Sequence, residues 1–103
     1  MSGQYILKNG VPVPEPDLLV WGRWLETANE DRRVAYDVIS PELKVSTVFL
    51  ALDHSFKPGA EPILYETMVF GGPLDGSQER YATKQEAQAG HARWLEKVKD
   101  SNA

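Results

Sequence analysis

Apolar residues recur along this chain with two different periods, and each period predicts a different kind of element. Asp17 can cap a first helix, whose apolar positions have helical spacing and are Leu18, Trp21, Trp24, Leu25 and Ala28. Thr83 and Glu86 match the capping box, in which each side chain binds the other residue's backbone N–H. The second helix, which they begin, has an apolar stripe formed by Ala87, His91, Trp94, Leu95 and Val98.

Four segments between residues 33 and 82 have the composition of β-strands. RVAYDVI places Val34, Tyr36 and Val38 on one face, and a turn at residues 40–42 separates it from KVSTVFLAL. KVSTVFLAL and ILYETMVF are apolar at most positions, which is typical of central strands with both faces covered. SQERYA is polar and suits the edge of a sheet.

The sequence of residues 1–14 predicts a separate N-terminal hairpin or flap. Asn9 and Gly10 tolerate positive φ, whereas Pro12 and Pro14 cannot donate to a strand ladder. The predicted order is β-β-α-β-β-β-β-α in a single domain of residues 1–103, with a frayed tail at residues 99–103. Short connections favour an antiparallel sheet of about four to five strands with two α-helices, which is the α+β class.

A register that pairs Leu52 with Ile63 assigns the residues of the two central strands to faces. It puts Phe49, Glu66 and Met68 on one face, and both faces are largely apolar in this register or in one shifted by a residue. Two helices can cover one face each, or both can cover the same face and leave the other to a partner. We therefore expect a homodimer.

Composition and charge exclude several classes of protein. The chain has no cysteine, which excludes disulfides, thiolate zinc sites and cysteine nucleophiles and favours the cytoplasm. A net charge of -4 and a pI of about 5.1 argue against nucleic-acid binding. The apolar runs are much shorter than the roughly 20 residues of a membrane span, so no membrane association is expected.

The glycine-rich stretch FGGPLDG, residues 70–76, is interpreted as a turn between strands. A Walker A loop needs Lys-Ser or Lys-Thr after its last glycine at the start of a helix, but Gly76 is followed by Ser77 and a strand. Gly71, Gly72 and Gly76 are predicted to adopt unusual φ values. The alternative is a loop in which Gly71 and Gly72 let a ligand or a partner approach the backbone closely.

Asp53, His54 and Glu66 are the candidates for chemistry. Asp53 and His54 follow a predicted central strand, where the alternatives are loop ordering, partner contact and catalysis, with loop ordering favoured. Glu66 interrupts an apolar strand, so it is expected to pair with Arg80, Arg33 or a helix residue.

Arg80 and Tyr81 lie on the predicted edge strand. Charged side chains there usually protect an edge from aggregation, although an edge can also add a strand from another chain. Together they could offer a cation and a stacking surface to a nucleotide. His91 is expected to be a hydrogen-bonded histidine at the core margin. Because His54 is the only other histidine and the spacing fits no known ligand set, no metal or other cofactor is predicted.

Four blocks of sequence carry a resemblance to a known family. They lie between Val13 and Trp94 and are PEPDLLVWGRWLE, VSTVFLALDHSF, YETMVFGGPLDGSQERYAT and EAQAGH. The chain resembles a family of small proteins encoded by bacteriophages and prophages. The resemblance implies a bacterial-cytoplasm setting and an accessory rather than a virion-core role, and it supplies no catalytic residues.

The leading prediction is a small phage accessory protein that is not an enzyme and binds a host protein, such as a defence component. The alternative is a sponge-like protein that binds a nucleotide or another small ligand. A hydrolase using Asp53, His54 or Glu66 is a minor third interpretation. The candidate binding residues are Asp53, His54, Glu66, Gly71, Gly72, Arg80 and Tyr81.

Overall fold

The computed structural model describes residues 3–55, 57 and 59–101 and confirms the α+β class with an N-terminal hairpin. The elements in chain order are β1 (Tyr5–Lys8), β2 (Val11–Pro14), α1 (Leu18–Thr27), α2 (Asn29–Arg32), β3 (Arg33–Ser40), β4 (Leu43–Phe49), β5 (Tyr65–Phe70), β6 (Gln78–Tyr81) and α3 (Lys84–Ser101). The hairpin pairs β1 with β2, and the main antiparallel sheet has the order β3-β4-β5-β6. The short helix α2 was not predicted. Helix α3 includes residues 99–101 of the predicted tail, and residues 102 and 103 lie outside the described residues.

The local signals at turns and helix starts are confirmed. Asn9 and Gly10 have φ values of 53° and 78°, as a tight hairpin turn requires. The carboxylate of Asp17 accepts the backbone N–H groups of Leu19 and Val20 at the start of α1. At the start of α3, the backbone N–H of Thr83 donates to Glu86, and that of Glu86 donates to Thr83 Oγ1.

The register of the two central strands is one residue away from the prediction. Val45 pairs with Val69 rather than with Phe70, and Thr47 pairs with Thr67. As a consequence Glu66 and Phe49 lie on opposite faces of the sheet, not on the same face. The apolar pattern did not distinguish the two registers, because in each strand the odd-numbered and the even-numbered positions are both mostly apolar.

The assignment of β3 to faces was also wrong at one position. Val34 packs with the buried cluster around Phe49, whereas Tyr36 and Val38 are exposed on the other face. The register of β3 shifts between Arg33 and Ala35, and such an irregularity turns the side chains that follow it to the opposite face.

Helix α3 and the tryptophans of α1 pack on the same face of the main sheet, which we call the covered face. Val98 of α3 packs with Val45 and Val69. Trp24 of α1 meets Phe49 edge-on, with ring centroids 6.0 Å apart, and Trp21 Nε1 donates to the carbonyl oxygen of Ala51. The smallest dimension of the molecule, 21 Å, fits this arrangement of one helix layer on one sheet.

Candidate functional site

The opposite face of the main sheet, which we call the open face, has no helix packed on it among the described residues. Cross-strand partners define its members, which are Arg33 at its margin and Tyr36, Val38, Lys44, Ser46, Val48, Glu66, Met68, Phe70, Gln78 and Arg80. Three of its apolar side chains are strongly exposed: Tyr36 by 42%, Val38 by 55% and Phe70 by 45%. With Val48 and Met68 they form the apolar part of the open face, which also contains six polar or charged side chains.

Glu66 has one of the partners that the sequence analysis considered, Arg80. Its Oε2 accepts a hydrogen bond from Arg80 Nε at 2.9 Å, between directly opposed residues of β5 and β6. The Arg33 guanidinium lies over the Tyr36 ring, 5.0 Å from its centroid. Both contacts hold cationic side chains flat against the open face.

Both edges of the main sheet are built in ways that discourage strand addition. The outer strand β3 has two register irregularities, one between Arg33 and Ala35 and one between Val38 and Ser40. At the other edge, β6 is only four residues long and carries Glu79 and Arg80. Bulges, short length and charge are the usual protections of an edge strand. The open face is therefore a better candidate for contact than either edge.

A chain of hydrogen-bonded side chains crosses the covered face beneath α3, and we call it the polar relay. Its members from one sheet edge to the other are Asp37, His91, Thr47, Thr67, Tyr81 and Glu79. His91 Nε2 lies 2.7 Å from Asp37 Oδ2, and His91 Nδ1 lies 2.7 Å from Thr47 Oγ1. The Tyr81 hydroxyl donates to Thr67 Oγ1 at 2.9 Å. His91 is thus a buried, fully hydrogen-bonded histidine, as predicted.

Each hydroxyl of the polar relay has one proton, so the relay can run in two directions. With neutral His91, Tyr81 donates to Thr67, which donates to Thr47, which donates to the ring, and the ring donates to Asp37. With protonated His91, both ring nitrogens donate and the hydroxyl bonds reverse, so that Tyr81 donates to Glu79. Each of the four buried members, His91, Thr47, Thr67 and Tyr81, keeps a hydrogen-bond partner in both directions, which explains how these polar groups are tolerated under a helix.

Part of the polar relay has the hydroxyl–imidazole–carboxylate order of a catalytic triad. Thr47, His91 and Asp37 would be the nucleophile, the base and the orienting acid. The Thr47 hydroxyl, however, is buried and shared with Thr67, so a substrate has no access to it in this structure. The arrangement therefore favours a structural role.

Two ionisable groups at the β6 end of the polar relay, Glu79 and Tyr81, have pKa values that differ from their ordinary ones. Partial burial opposes ionisation of Glu79, but hydrogen bonds from Trp94 and Tyr81 outweigh it and hold the pKa of Glu79 below its ordinary value. The guanidinium of Arg93, 3.0 Å from Glu79 Oε1, acts in the same direction. Burial raises the pKa of the Tyr81 hydroxyl.

Tyr81 and Arg80 also border an open groove of about 390 Å³ between β6 and α3. The groove is lined by Ile63, Glu79, Arg80, Tyr81, Ala82, Glu86, Ala89 and Arg93. The groove contains two arginines, Arg80 and Arg93, and two carboxylates, Glu79 and Glu86, so their charges balance. Both arginines also form ion pairs, Arg80 with Glu66 and Arg93 with Glu79. The groove therefore has no net charge that would select an anion.

The loop that carries Asp53 is ordered by Asp53 itself. Its carboxylate accepts the backbone N–H groups of Ser55 and Ile63, at 2.8 and 2.9 Å. Partial burial opposes ionisation, but the bonds from Ile63 and Ser55 outweigh it and hold the pKa of Asp53 below its ordinary value. His54 Nδ1 lies 2.8 Å from the carbonyl oxygen of Leu52. These contacts support the loop-ordering interpretation.

The glycine-rich stretch connects β5 to β6, as the turn interpretation predicted. Gly71, Gly72 and Gly76 have φ values of 91°, 71° and 83°. Gly71 and Gly72 follow the end of β5, whereas Tyr81 lies at the far end of β6, opposite Tyr65. The structure does not bring these glycines together with Arg80 and Tyr81 into one phosphate-binding site.

Within residues 3–55, 57 and 59–101, no group of three or more histidine, aspartate and glutamate side chains could hold a metal ion. No helix in the described part of the chain is long and apolar enough to cross a membrane. Comparisons with protein-family models, curated proteins and solved structures found no match. The resemblance to phage proteins stays a prediction, and the function is inferred from geometry.

Sequence reasoning missed four members of the polar relay: Asp37, Thr47, Thr67 and Glu79. A signal was present, because Thr47 and Thr67 are polar residues inside strands that are otherwise apolar. A threonine in a central strand must find a hydrogen bond when buried, and the nearest polar residue of the helical stripe is His91. The register had to be known before these residues could be placed together.

Proposed function

We propose that this chain is a non-enzymatic binding protein and that the open face is its binding surface for another protein. The observation that carries the proposal is that α3 and the tryptophans of α1 pack on one face of the sheet, and no helix of the described residues covers the other. An exposed apolar sheet face is costly in water and is stabilised by a partner that covers it.

The composition of the open face supports a protein partner. Tyr36, Phe70, Met68, Arg33 and Arg80 belong to the residue types that are enriched in the cores of protein interfaces. Tyrosine and arginine are also the types that contribute most strongly when they are buried on binding. The surface therefore has residue types that are typical of an interface core.

The resemblance to phage and prophage proteins suggests where the partner is found. A phage accessory protein in the bacterial cytoplasm meets host proteins, among which a defence component is the predicted target. The homodimer expected from the sequence is a competing way to cover the same face. The nucleotide-binding alternative would use Arg80 and Tyr81 in the groove beside α3.

The test compares capture of host proteins by three forms of the tagged chain. Wild type is compared with the open-face variant Tyr36→Ser/Phe70→Ser and with Leu19→Ser, an apolar control on α1 that is 72% exposed. We expect wild type and Leu19→Ser to retain the same bacterial protein, and the open-face variant to lose it while keeping its circular dichroism spectrum. A partner retained equally by all three forms would exclude the open face.

Light scattering on the same proteins measures the competing state. A wild-type dimer that becomes a monomer in the open-face variant would assign the surface to self-association instead. Stabilisation of wild type by a nucleotide, lost in Arg80→Ala, would favour the ligand-binding alternative.

A further inference from the structure

We infer that the partner of the open face presents an apolar centre with an acidic rim. This inference rests on the proposed function, because it names the chemistry of the partner for that same surface. Among the described residues of the open face, three are cations and one is a carboxylate: Arg33, Lys44, Arg80 and Glu66. The whole chain, in contrast, has a net charge of -4. The apolar face of an acidic protein is therefore its locally basic side.

The charges are placed around a neutral centre. The central row across the four strands runs from Tyr36 through Ser46 and Met68 to Gln78, and all four side chains are uncharged. Arg33, Glu66 and Arg80 lie in the row on one side, and Lys44 lies in the row on the other, between Val38 and Phe70. Tyr36 and Met68 are the apolar members of this central row, and Val38 and Phe70 extend the apolar area on the Lys44 side. In protein interfaces an apolar centre supplies affinity and charges around it guide association.

A second copy of the chain fits this surface less well than an acidic partner does. A twofold contact between two open faces brings the same patch together from both sides, so the net positive charge that Arg33 and Lys44 give one copy would face the same charge on the other. Glu66 offers little relief, because it is already held by Arg80 at 2.9 Å. Like charges facing each other across an interface oppose association.

Single-stranded nucleic acid also fits less well, although Tyr36 and Phe70 could stack on bases. A nucleic-acid strand is a continuous line of phosphates and needs a basic track along which to lie. Here the cations are few, Arg80 is engaged by Glu66, and the rest of the molecule is acidic. A compact acidic patch on a protein can meet the open face without approaching those acidic surfaces.

The test uses a defined probe: a peptide of about ten residues with central leucine and phenylalanine flanked by glutamates. Its control has lysine at every glutamate position. Binding is followed by the backbone amide signals of Ser46, Val48 and Met68 in a titration of the labelled full-length protein. We expect the acidic peptide to shift these signals and the basic peptide not to shift them.

Charge variants then test whether the positive charge of the open face causes the binding of the acidic peptide. Lys44→Glu should weaken binding of the acidic peptide by about tenfold, and Arg23→Glu, a matched reversal on the exposed side of α1, should not change it. Raising the salt concentration should weaken binding in wild type more than in Lys44→Glu.

Several results would overturn the inference. These are equal binding of both peptides, no difference between Lys44→Glu and Arg23→Glu, tighter binding of single-stranded oligo-dT at the same signals, or a dimer that excludes the peptide. If the protein is a monomer and the open-face variant still loses its host partner in any of the other cases, the proposed function holds and only the acidic chemistry of the partner is wrong. A dimer formed through the open face would count against the proposed function as well.

Discussion

At the residue scale, the position of Tyr81 depends on the absence of a side chain in α3. A Cβ atom added to Gly90 would lie 2.2 Å from the Tyr81 hydroxyl oxygen and 2.3 Å from the ring carbon that bears it. That hydroxyl donates to Thr67 inside the polar relay. Gly90 therefore lets the aromatic ring of β6 reach under the helix.

We predict that Gly90→Ala lowers the free energy of unfolding by about 1–3 kcal/mol, because the added methyl group overpacks the site. This loss outweighs the better helix propensity of alanine, which is about 1 kcal/mol. Urea unfolding followed by tryptophan fluorescence measures the change.

The matched control is Gly22→Ala in α1. No heavy atom that the structure describes outside the chain neighbours and local helix backbone lies within 4 Å of the position of its Cβ. The substitution should be neutral or stabilising by up to about 1 kcal/mol. Equal destabilisation by the two substitutions would disprove the packing role of Gly90.

Some residue-scale contacts could be predicted and others could not. The capping pair Thr83 and Glu86 is three residues apart, so the sequence contains the whole motif. A partner for Glu66 was expected because an isolated carboxylate in an apolar strand is costly, but the choice of Arg80 over Arg33 or a helix residue was left open. The relay from Asp37 to Glu79 needed three strand registers and a helix position, none of which is a local property.

At the scale of elements, the turn from β5 to β6 is held against the turn from β3 to β4. A Cβ atom added to Gly71 would lie 1.7 Å from the carbonyl oxygen of Glu42, and the φ of Gly71 is +91°. The backbone N–H of Gly71 donates to Asp75 Oδ1 at 2.6 Å. Gly71 is thus required for its conformation and for the close approach of two chain segments.

We predict that Gly71→Ala destabilises the protein by at least about 2 kcal/mol more than Gly76→Ala. Gly76 also has a positive φ, +83°, but no heavy atom of the described residues beyond its chain neighbours lies within 4 Å of its added Cβ. Gly76→Ala therefore measures the conformational cost, about 1–2 kcal/mol, without the clash. Thermal unfolding of both variants provides the comparison, and equal losses would contradict the close-approach argument.

Strand identity was predictable at this scale, but strand register was not. Both central strands were recognised because β-branched and aromatic residues dominate them. Their pairing was misplaced by one residue because either set of alternate positions is apolar enough to be a core face. What decides the register is which residues of β5 join Val45, Thr47 and Phe49 beneath the helices. In the structure these are Tyr65, Thr67 and Val69, and Glu66 lies on the opposite face, where it pairs with Arg80.

At the scale of the whole molecule, the polar relay joins the two edges of the main sheet and ends in exposed carboxylates. The Asp37 side chain is 51% exposed and that of Glu79 is 42% exposed. The folded state holds the pKa of Glu79 below its ordinary value of 4.5, so it favours the ionised form. The resulting stabilisation is complete above about pH 4.5 and is lost as the pH falls through the lower folded-state pKa.

We predict that Glu79→Gln lowers the free energy of unfolding at pH 7 and that the difference from wild type shrinks towards about pH 3. Asp53→Asn should likewise lower the free energy of unfolding at pH 7, by a difference that shrinks in acid, because the pKa of Asp53 is also lowered. Urea unfolding at both pH values measures this. A difference that stays constant or grows in acid would mean that the charge of Glu79 does not stabilise the fold.

The sequence by itself determined the class of the fold, the main strands and both long helices, the turn glycines and the helix caps. These follow from local periodicity, backbone conformational preference and short-range hydrogen bonds, which a linear pattern contains. Only the tertiary structure decided the strand register, the polar relay and the choice of the face that the helices cover. These depend on which residues meet across the sheet, and two apolar faces of similar composition leave that choice to packing in three dimensions. The open face, on which the proposed function depends, is the result of that choice.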